Sequence, residues 1–376
     1  MKIIFTGGGS GGHIFPIIAI SREIKKKCGN QIELSYIGPE DEFASKLFFK
    51  EGMKTNFILS GKVRRYFNTN AFLENILDIF IKIPIGIVQA FLILFFTAPD
   101  LVFCKGGYGS LPTTIAAWLL RIPVFLHESD VTPGLANKIL SHFTHSIFVS
   151  FPVKQTSYFN TNKMISVGNP IREELLQVDY NSAKKEIGIV SDKQILLILG
   201  GSQGSTRIND LIFQILPKLL VKIEIIHQTG YKDFERALSD LQAFTPKELH
   251  PYYHPQPFLN EVQIKNAMAS ADLIVCRAGA GTIFEIAAME KPSILIPLPE
   301  AAQNHQVKNA YAYAESGAGV VIEEANLTPN FFLEKIFHIL TYGNLELMAK
   351  SAEKFAKPEA AKEIAKYLID FLGLKA

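Results

Sequence analysis

A histidine directly behind a run of glycines can do acid–base chemistry on whatever the glycines hold. The run is Gly7-Gly8-Gly9-Ser10-Gly11-Gly12-His13. Without Cβ atoms such a loop lets backbone N–H groups converge on an anion, and the start of the helix that follows adds partial positive charge. A neutral imidazole there can take a proton from a hydroxyl, and the helix start favours the neutral form. The bland reading is a solvent-facing residue in a first helical turn. Two further loops repeat the cradle: Lys105-Gly106-Gly107-Tyr108-Gly109-Ser110, and Gly200-Gly201-Ser202-Gln203-Gly204-Ser205, where Ser202 adds a hydroxyl donor. Arg277-Ala278-Gly279-Ala280-Gly281-Thr282 then enters a helix carrying Glu285. Two carboxylate oxygens there suit a sugar diol, or simply face solvent. Gln303-Asn304-His305-Gln306 is an amide-rich turn at a helix start. Amides both donate and accept, which suits hydroxyl-rich ligands, although helix capping by Asn304 is the plain alternative. His127-Glu128-Ser129-Asp130 closes a strand with polar residues, at the edge where ligands gather in open α/β sheets.

Other chemistries fit poorly. Gly7, Gly9 and Gly12 satisfy G-x-G-x-x-G, but a dinucleotide fold wants an acid at the end of the second strand, which here ends in Ile37-Gly38-Pro39 with Glu40 the nearest candidate. The 200–205 loop lacks the lysine of a P-loop. No Asp-x-Asp pair is present to hold a metal on a diphosphate. Neither metal nor cofactor is therefore expected, and helix dipoles and backbone donors would meet the diphosphate charge. Cys28, Cys104 and Cys276 are odd in number and far apart, so neither a disulfide frame nor a zinc site is indicated, and a reducing, intracellular setting fits. A net charge of +2 argues against a dedicated nucleic-acid binder.

These loops need strands to present them, and the chain supplies apolar runs in the right places. Lys2–Thr6, Ile32–Ile37, Leu101–Cys104, Val124–Leu126, Ser146–Val149 and Ile165–Val167 read as strands of a first half. Gly168-Asn169-Pro170 is turn chemistry, and the same grammar restarts at Ile195–Leu199, continuing through Glu224–His227, Leu273–Cys276 and Ser293–Ile296. Alternation of strands and helices predicts parallel, doubly wound sheets. With 376 residues two domains are expected: residues 1–168, residues 169–357, and a final helix in 358–376, with Ala361, Ile364, Leu368 and Phe371 at helical spacing, packing back on the first domain. Glycines follow the first strand at once, so no signal peptide is expected. The stretch from Phe72 to Phe96 is strongly apolar. Pro84 and Gly86 break it into a buried or half-buried helix pair on one reading. On another it is a membrane-surface patch beside Lys62, Arg64 and Arg65. A span of roughly 20 residues is allowed by length, but Lys82 inside the run weighs against it.

In order along the chain, GGGSGGHIFP (7–16), KGGYGS (105–110), LHESDVTPGLANK (126–138), GNPIR (168–172), GGSQGS (200–205), CRAGAGTIFE (276–285) and NHQVKNA (304–310) resemble the MurG family, bacterial N-acetylglucosaminyltransferases of glycosyltransferase family 28. The resemblance covers nearly the whole chain, and the combination is far more specific than any one loop. It implies an α/β protein of GT-B fold, with two Rossmann-like parallel-sheet domains facing a cleft. It implies inverting transfer of GlcNAc from UDP-GlcNAc to the C4 hydroxyl of MurNAc in lipid I (undecaprenyl-pyrophosphoryl-MurNAc-pentapeptide), giving lipid II for peptidoglycan synthesis. It places the enzyme peripherally on the cytoplasmic side of the inner membrane, docked through the 72–96 segment and Trp118. The first domain would bind acceptor and membrane, the second UDP-GlcNAc.

Carried over by motif, His13 is the candidate base, and Ser10, Gly11 and Gly12 flank the donor sugar. Glu128 is a second catalytic candidate, helping the 105–110 loop to hold the acceptor. Arg172 and Ser202 would meet the nucleotide or its phosphates. Leu259 matches a position whose backbone contacts uracil. Ala280, Gly281, Thr282 and Glu285 would line the nucleotide, with Glu285 on the ribose, and Gln306 would read the GlcNAc hydroxyls. One departure is Asp130, where the family commonly has asparagine. A carboxylate there either contacts the sugar differently or adds an acid–base group. Rival readings are a transferase of this fold with another lipid or small-molecule acceptor, a UDP-GlcNAc epimerase, and a catalytically silent sugar-nucleotide binder.

Overall fold

The computed structural model describes residues 1–8, 11–62, 69–152, 158–189, 191–201 and 204–374, with 69–72 and 181 described by backbone alone. Ser10, Arg64, Arg65 and Ser202 lie outside the described residues.

The chain forms two compact units, Met1–Ile171 with Pro358–Ala376, and Arg172–Lys357. In the first, β1 (Lys2–Thr6), β2 (Glu33–Gly38), β3 (Lys54–Phe57), β4 (Leu101–Cys104), β5 (Val124–Glu128), β6 (Ser146–Val149) and β7 (Met164–Ser166) make one sheet in the order β3-β2-β1-β4-β5-β6-β7. Each neighbouring pair is parallel. Ile3, Ile4 and Phe5 are all buried, as a parallel strand covered on both faces requires. Its helices are α1 (Gly11–Cys28), α2 (Glu42–Lys50), α3 (Thr69–Leu77), α4 (Ile83–Thr97), α5 (Leu111–Leu119) and α6 (Leu135–Leu140). In the second unit, β8 (Gln194–Leu199), β9 (Ile223–Gln228), β10 (Tyr253–Gln256), β11 (Leu273–Cys276), β12 (Ser293–Leu295) and β13 (Gly319–Val321) form a parallel sheet in the order β10-β9-β8-β11-β12-β13. Around it lie α7 (Tyr180–Glu186), α8 (Thr206–Lys222), α9 (Tyr231–Phe244), α10 (Glu261–Ser270), α11 (Ala280–Ala288), α12 (His305–Ala314), α13 (Pro329–Tyr342) and α14 (Leu345–Phe355).

Both sheets reverse strand order at one place, between β1 and β4 and between β8 and β11. The carboxyl ends of those four strands lead into the stretches that begin at Gly7, Lys105, Gly200 and Arg277. A crevice opens where strand order reverses, so the topology puts the candidate residues at the ligand-binding edge of each sheet.

The last helix, α15 (Ala360–Phe371), belongs to the first unit. Its Ile364, Leu368 and Ile369 share a core with Ile14, Ile17 and Ile24 of α1, and Phe371 sets its ring edge-on to Phe125 at 4.9 Å.

The apolar segment departs from the helix-pair expectation. Pro84 and Gly86 do not break it, because α3 runs into α4 through a wide π turn, Asp78–Lys82, where the Ile83 N–H reaches back to the Asp78 carbonyl. Proline in the first turn of the renewed helix then loses no needed hydrogen bond. Among the described residues, Leu73–Thr97 is a helix long and apolar enough to cross a membrane by length and composition, with only 17% of its most apolar window buried. One stripe, Gly86, Ala90 and Leu94, is buried. A Cβ at Gly86 would strike the Leu59 carbonyl, so glycine permits the close approach. Phe80, Val88, Leu92, Phe95 and Phe96 are exposed.

Candidate active site

In the first unit the site is built on contacts between the loops after β1 and β4. The Gly8 N–H donates to the Gly106 carbonyl at 3.0 Å, and the Lys105 N–H to Thr6 at 2.8 Å. His13, in the first turn of α1, lies between their backbones: a Cβ on Gly8 would come 3.3 Å from the imidazole, and one on Gly107 would come 3.0 Å from Nε2. Gly107 also has φ +83°, so both space and conformation demand glycine there. Burial and then the Lys105 cation push the His13 pKa down from 6.5 to about 3. The residue as a whole is half-buried, and the depressed pKa favours the neutral ring. Gly11 and Gly12 share its helical turn, Gly12 being exposed.

Glu128, the second catalytic candidate, closes β5. It is 3% exposed. Its Oε1 accepts the Asp130 N–H at 2.9 Å, and its Oε2 accepts Asn137 Nδ2 at 2.7 Å. Asn137 Oδ1 in turn accepts the Gly107 N–H at 3.1 Å. Through these bonds Glu128 holds the loop beside His13. Lys105 is buried among these acids, with Nζ donating to Ser129 Oγ at 2.5 Å. Desolvation lowers its pKa while Glu128 and Asp130 oppose the shift. Desolvation and Asp130 raise that of Glu128. Asp130 itself is half-buried.

In the second unit, α8 and α11 start on either side of a cavity of about 530 Å³. Its lining includes Gly200, Gly201, Gly204, Thr282 and Gln306, with Arg207, Arg277 and Glu300. Ala280 and Gly281 form the first turn of α11. The positive ends of both helix dipoles lie at this cavity, a setting that favours an anion. Gln306 Oε1 accepts the Leu298 N–H at 3.0 Å. Asn304 does not cap α12 with its side chain. It and Gln303 are left-handed, at φ +54° and +57°. Leu259 is buried, and its N–H donates to Gln228 Oε1 at 3.1 Å, while Gln228 Nε2 donates to the Gly201 carbonyl at 2.7 Å. Gln228, which no motif singled out, thereby ties Leu259 to the glycine loop.

Arg172 and Glu285, expected on the nucleotide separately, grip one another. Arg172 Nε and Nη2 donate to the two Glu285 oxygens at 2.8 and 2.9 Å. The residues are 113 positions apart and both mostly buried. Among the described residues no group of three or more His, Cys, Asp or Glu could hold a metal ion.

The glycosyltransferase family 28 N-terminal domain matches residues 3–149, and its C-terminal domain matches residues 195–364. A curated relative from Clostridium tetani, the UDP-N-acetylglucosamine–N-acetylmuramyl-(pentapeptide) pyrophosphoryl-undecaprenol N-acetylglucosamine transferase, is 37% identical over 93% of this chain and 92% of its own. The chain belongs to the MurG family of glycosyltransferase family 28. Among solved structures, Acinetobacter baumannii MurG superposes with TM-score 0.74 at 24% identity over 98% of this chain and 99% of that one. A UDP-GlcNAc 2-epimerase from Neisseria meningitidis superposes with TM-score 0.68 at 15% identity over 98% and 100%. These likenesses show the fold, and the two parallel-sheet units make this member of the MurG family a GT-B protein.

Proposed function

We propose that the chain transfers GlcNAc from UDP-GlcNAc to the C4 hydroxyl of MurNAc in lipid I, forming lipid II with inversion. The observation that carries this reading is the position of His13, its imidazole set against the Gly8 and Gly107 backbones in the first turn of α1, where a base for a sugar hydroxyl can be presented. In the proposed step the C4 oxygen, losing its proton to His13, bonds to the anomeric carbon, and the bond from that carbon to UDP breaks. The departing diphosphate charge is met by the N–H groups at the starts of α8 and α11. Thr282 and Gln306 face this cavity, Gln306 toward the sugar hydroxyls. Glu285, its carboxylate fixed by Arg172, takes the ribose. Ser10 and Ser202 keep their assignments from the family motif. Asp130 faces the acceptor beside the loop that Glu128 and Asn137 hold.

The acceptor carries a polyprenyl chain, so the proposed site of action is the membrane surface on the cytoplasmic side, with the exposed face of α4 and Trp118 of α5 as the docking patch. Incubation of the full chain with labelled UDP-GlcNAc and a lipid I analogue tests the reading. A disaccharide-bearing lipid and free UDP are expected. Conversion of UDP-GlcNAc to its 2-epimer without transfer would replace this reading with the epimerase, and transfer only to another acceptor would replace the substrate.

A further inference from the structure

Two arginines line the second-unit cavity, and they are held in unlike ways. Arg277 is 11% exposed and locked: it pairs with Glu324, donates to Ser205 Oγ at 2.7 Å and to the Ile296 carbonyl at 3.1 Å. Arg207, in the first turn of α8, is 57% exposed. Its two terminal nitrogens fork onto both oxygens of Glu300, at 2.6 and 3.0 Å, and Nη1 also meets Glu324 at 2.6 Å. Glu300 is as exposed as its partner, so water screens and weakens that pair, while Glu324, 11% exposed, holds Nη1 from the other side.

A cation in the first turn of a helix stands where the helix dipole disfavours it. An anion beside it removes the conflict, and the planar guanidinium fork fits a phosphate as well as a carboxylate. The turn bearing Glu300 runs on through Gln303 and Asn304, two non-glycine residues in the left-handed region. Such backbone is costly and clusters in segments that rearrange around ligands. Glu300 and Arg207 both line the cavity that receives the starts of α8 and α11.

We propose that Arg207 binds the donor diphosphate and that Glu300 competes with the diphosphate for the same guanidinium, so that nucleotide entry exchanges one bidentate partner for another. The inference rests on the reading of this cavity as the UDP site. A bound diphosphate turns Arg207 from Glu300, while Arg277 keeps its three partners. The competition lowers nucleotide affinity by the fraction of molecules in which Arg207 is engaged by the carboxylate. It thereby favours release of UDP after transfer.

Calorimetry on the full chain, with UDP and with uridine as separate titrants, tests this. Arg207→Ala is expected to weaken UDP about tenfold or more and to leave uridine unchanged. Glu300→Gln is expected to tighten UDP roughly three- to tenfold, again without effect on uridine. In the Arg207→Ala background, Glu300→Gln is expected to gain nothing. An equal gain in that background would overturn the competition in favour of plain charge repulsion by Glu300. Unchanged UDP affinity in Arg207→Ala would overturn the role of Arg207 alone. If the native chain bound neither UDP nor uridine, the cavity's assignment would fall, and the inference with it.

Discussion

An imidazole pressed between two glycine backbones and a buried lysine resists protonation, and this fixes how His13 should behave. Its pKa lies near 3 in the folded chain against 6.5 in the open one, so between those values the unfolded chain binds the extra proton. Stability from this group is therefore present above about pH 6.5 and declines as pH falls toward 3. Catalysis follows the same sign: the base stays available down to low pH, and turnover shows no inflection from His13 near pH 6.5. His13→Ala is expected to lower turnover by roughly 10²–10⁴ while calorimetry shows donor affinity unchanged. Native-like turnover in the variant would contradict the assignment, and an imidazole resonance of His13 titrating between pH 6 and 7 by NMR would contradict its burial beside Lys105. Much of this residue's setting is legible in the sequence, since a glycine run ending in histidine announces both cradle and base. The supporting contacts are not. Asn137 reaches Gly107 across 30 positions, and Arg172 reaches Glu285 across 113. Only the fold brings such partners together, so the side chains that fix Glu128 and Glu285 in place cannot be read from spacing. Arg207, Glu300 and Glu324 carry no spacing signal at all, and the sequence reading passed over them.

At the scale of elements, the helix at 69–97 shows where local rules mislead. Proline and glycine inside an apolar run signal a break, but the π turn at 78–82 makes room for Pro84, and Gly86 serves a close contact with Leu59 rather than a bend. The long central strands were readable from continuous apolar runs. The outer strands β3 and β10 were not, because four residues with mixed polarity, Lys54–Phe57 and Tyr253–Gln256, give no periodic signal, and β13, Gly319–Val321, is too short to give one. The helix's solvent face makes a prediction of its own. Phe95 and Phe96 are 59% and 80% exposed, so replacing both with serine should leave the unfolding midpoint almost unchanged. Each phenylalanine is worth about 1.5–3 kcal/mol when fully moved out of water. Sedimentation with phosphatidylglycerol-containing vesicles should then show binding weakened about tenfold or more. Equal vesicle binding by the double variant would take the membrane contact away from α4.

Across the whole molecule, the chain starts in one unit, builds a second that is continuous in sequence, and returns at Pro358 to finish the first. The return is a packing necessity for α1: Ile17, Ile20 and Ile24 form one apolar core with Ile364, Leu368 and Ile369, and without α15 that stripe would meet water. Tyr367 and Phe371 add edge-on ring contacts to Phe125 at 5.8 and 4.9 Å. Leu368 is fully buried, and truncating such a side chain to alanine costs about 2–5 kcal/mol, the removed methyl groups and the cavity both contributing. A residue near the end of the chain is thus expected to govern the stability of its first hundred residues more than that of the segment next to it in sequence. Hydrogen exchange on Leu368→Ala reads this directly: amides of α1 and β1 should lose protection, while those of β8 and α8 keep theirs. UDP affinity at 25 °C should stay at the native value, since the described residues lining the cavity fall between 200 and 306, all in the second unit. Loss of protection in α8 equal to that in α1 would show that the two units do not hold their stabilities separately, and the division at Arg172 would then describe geometry without describing energetics.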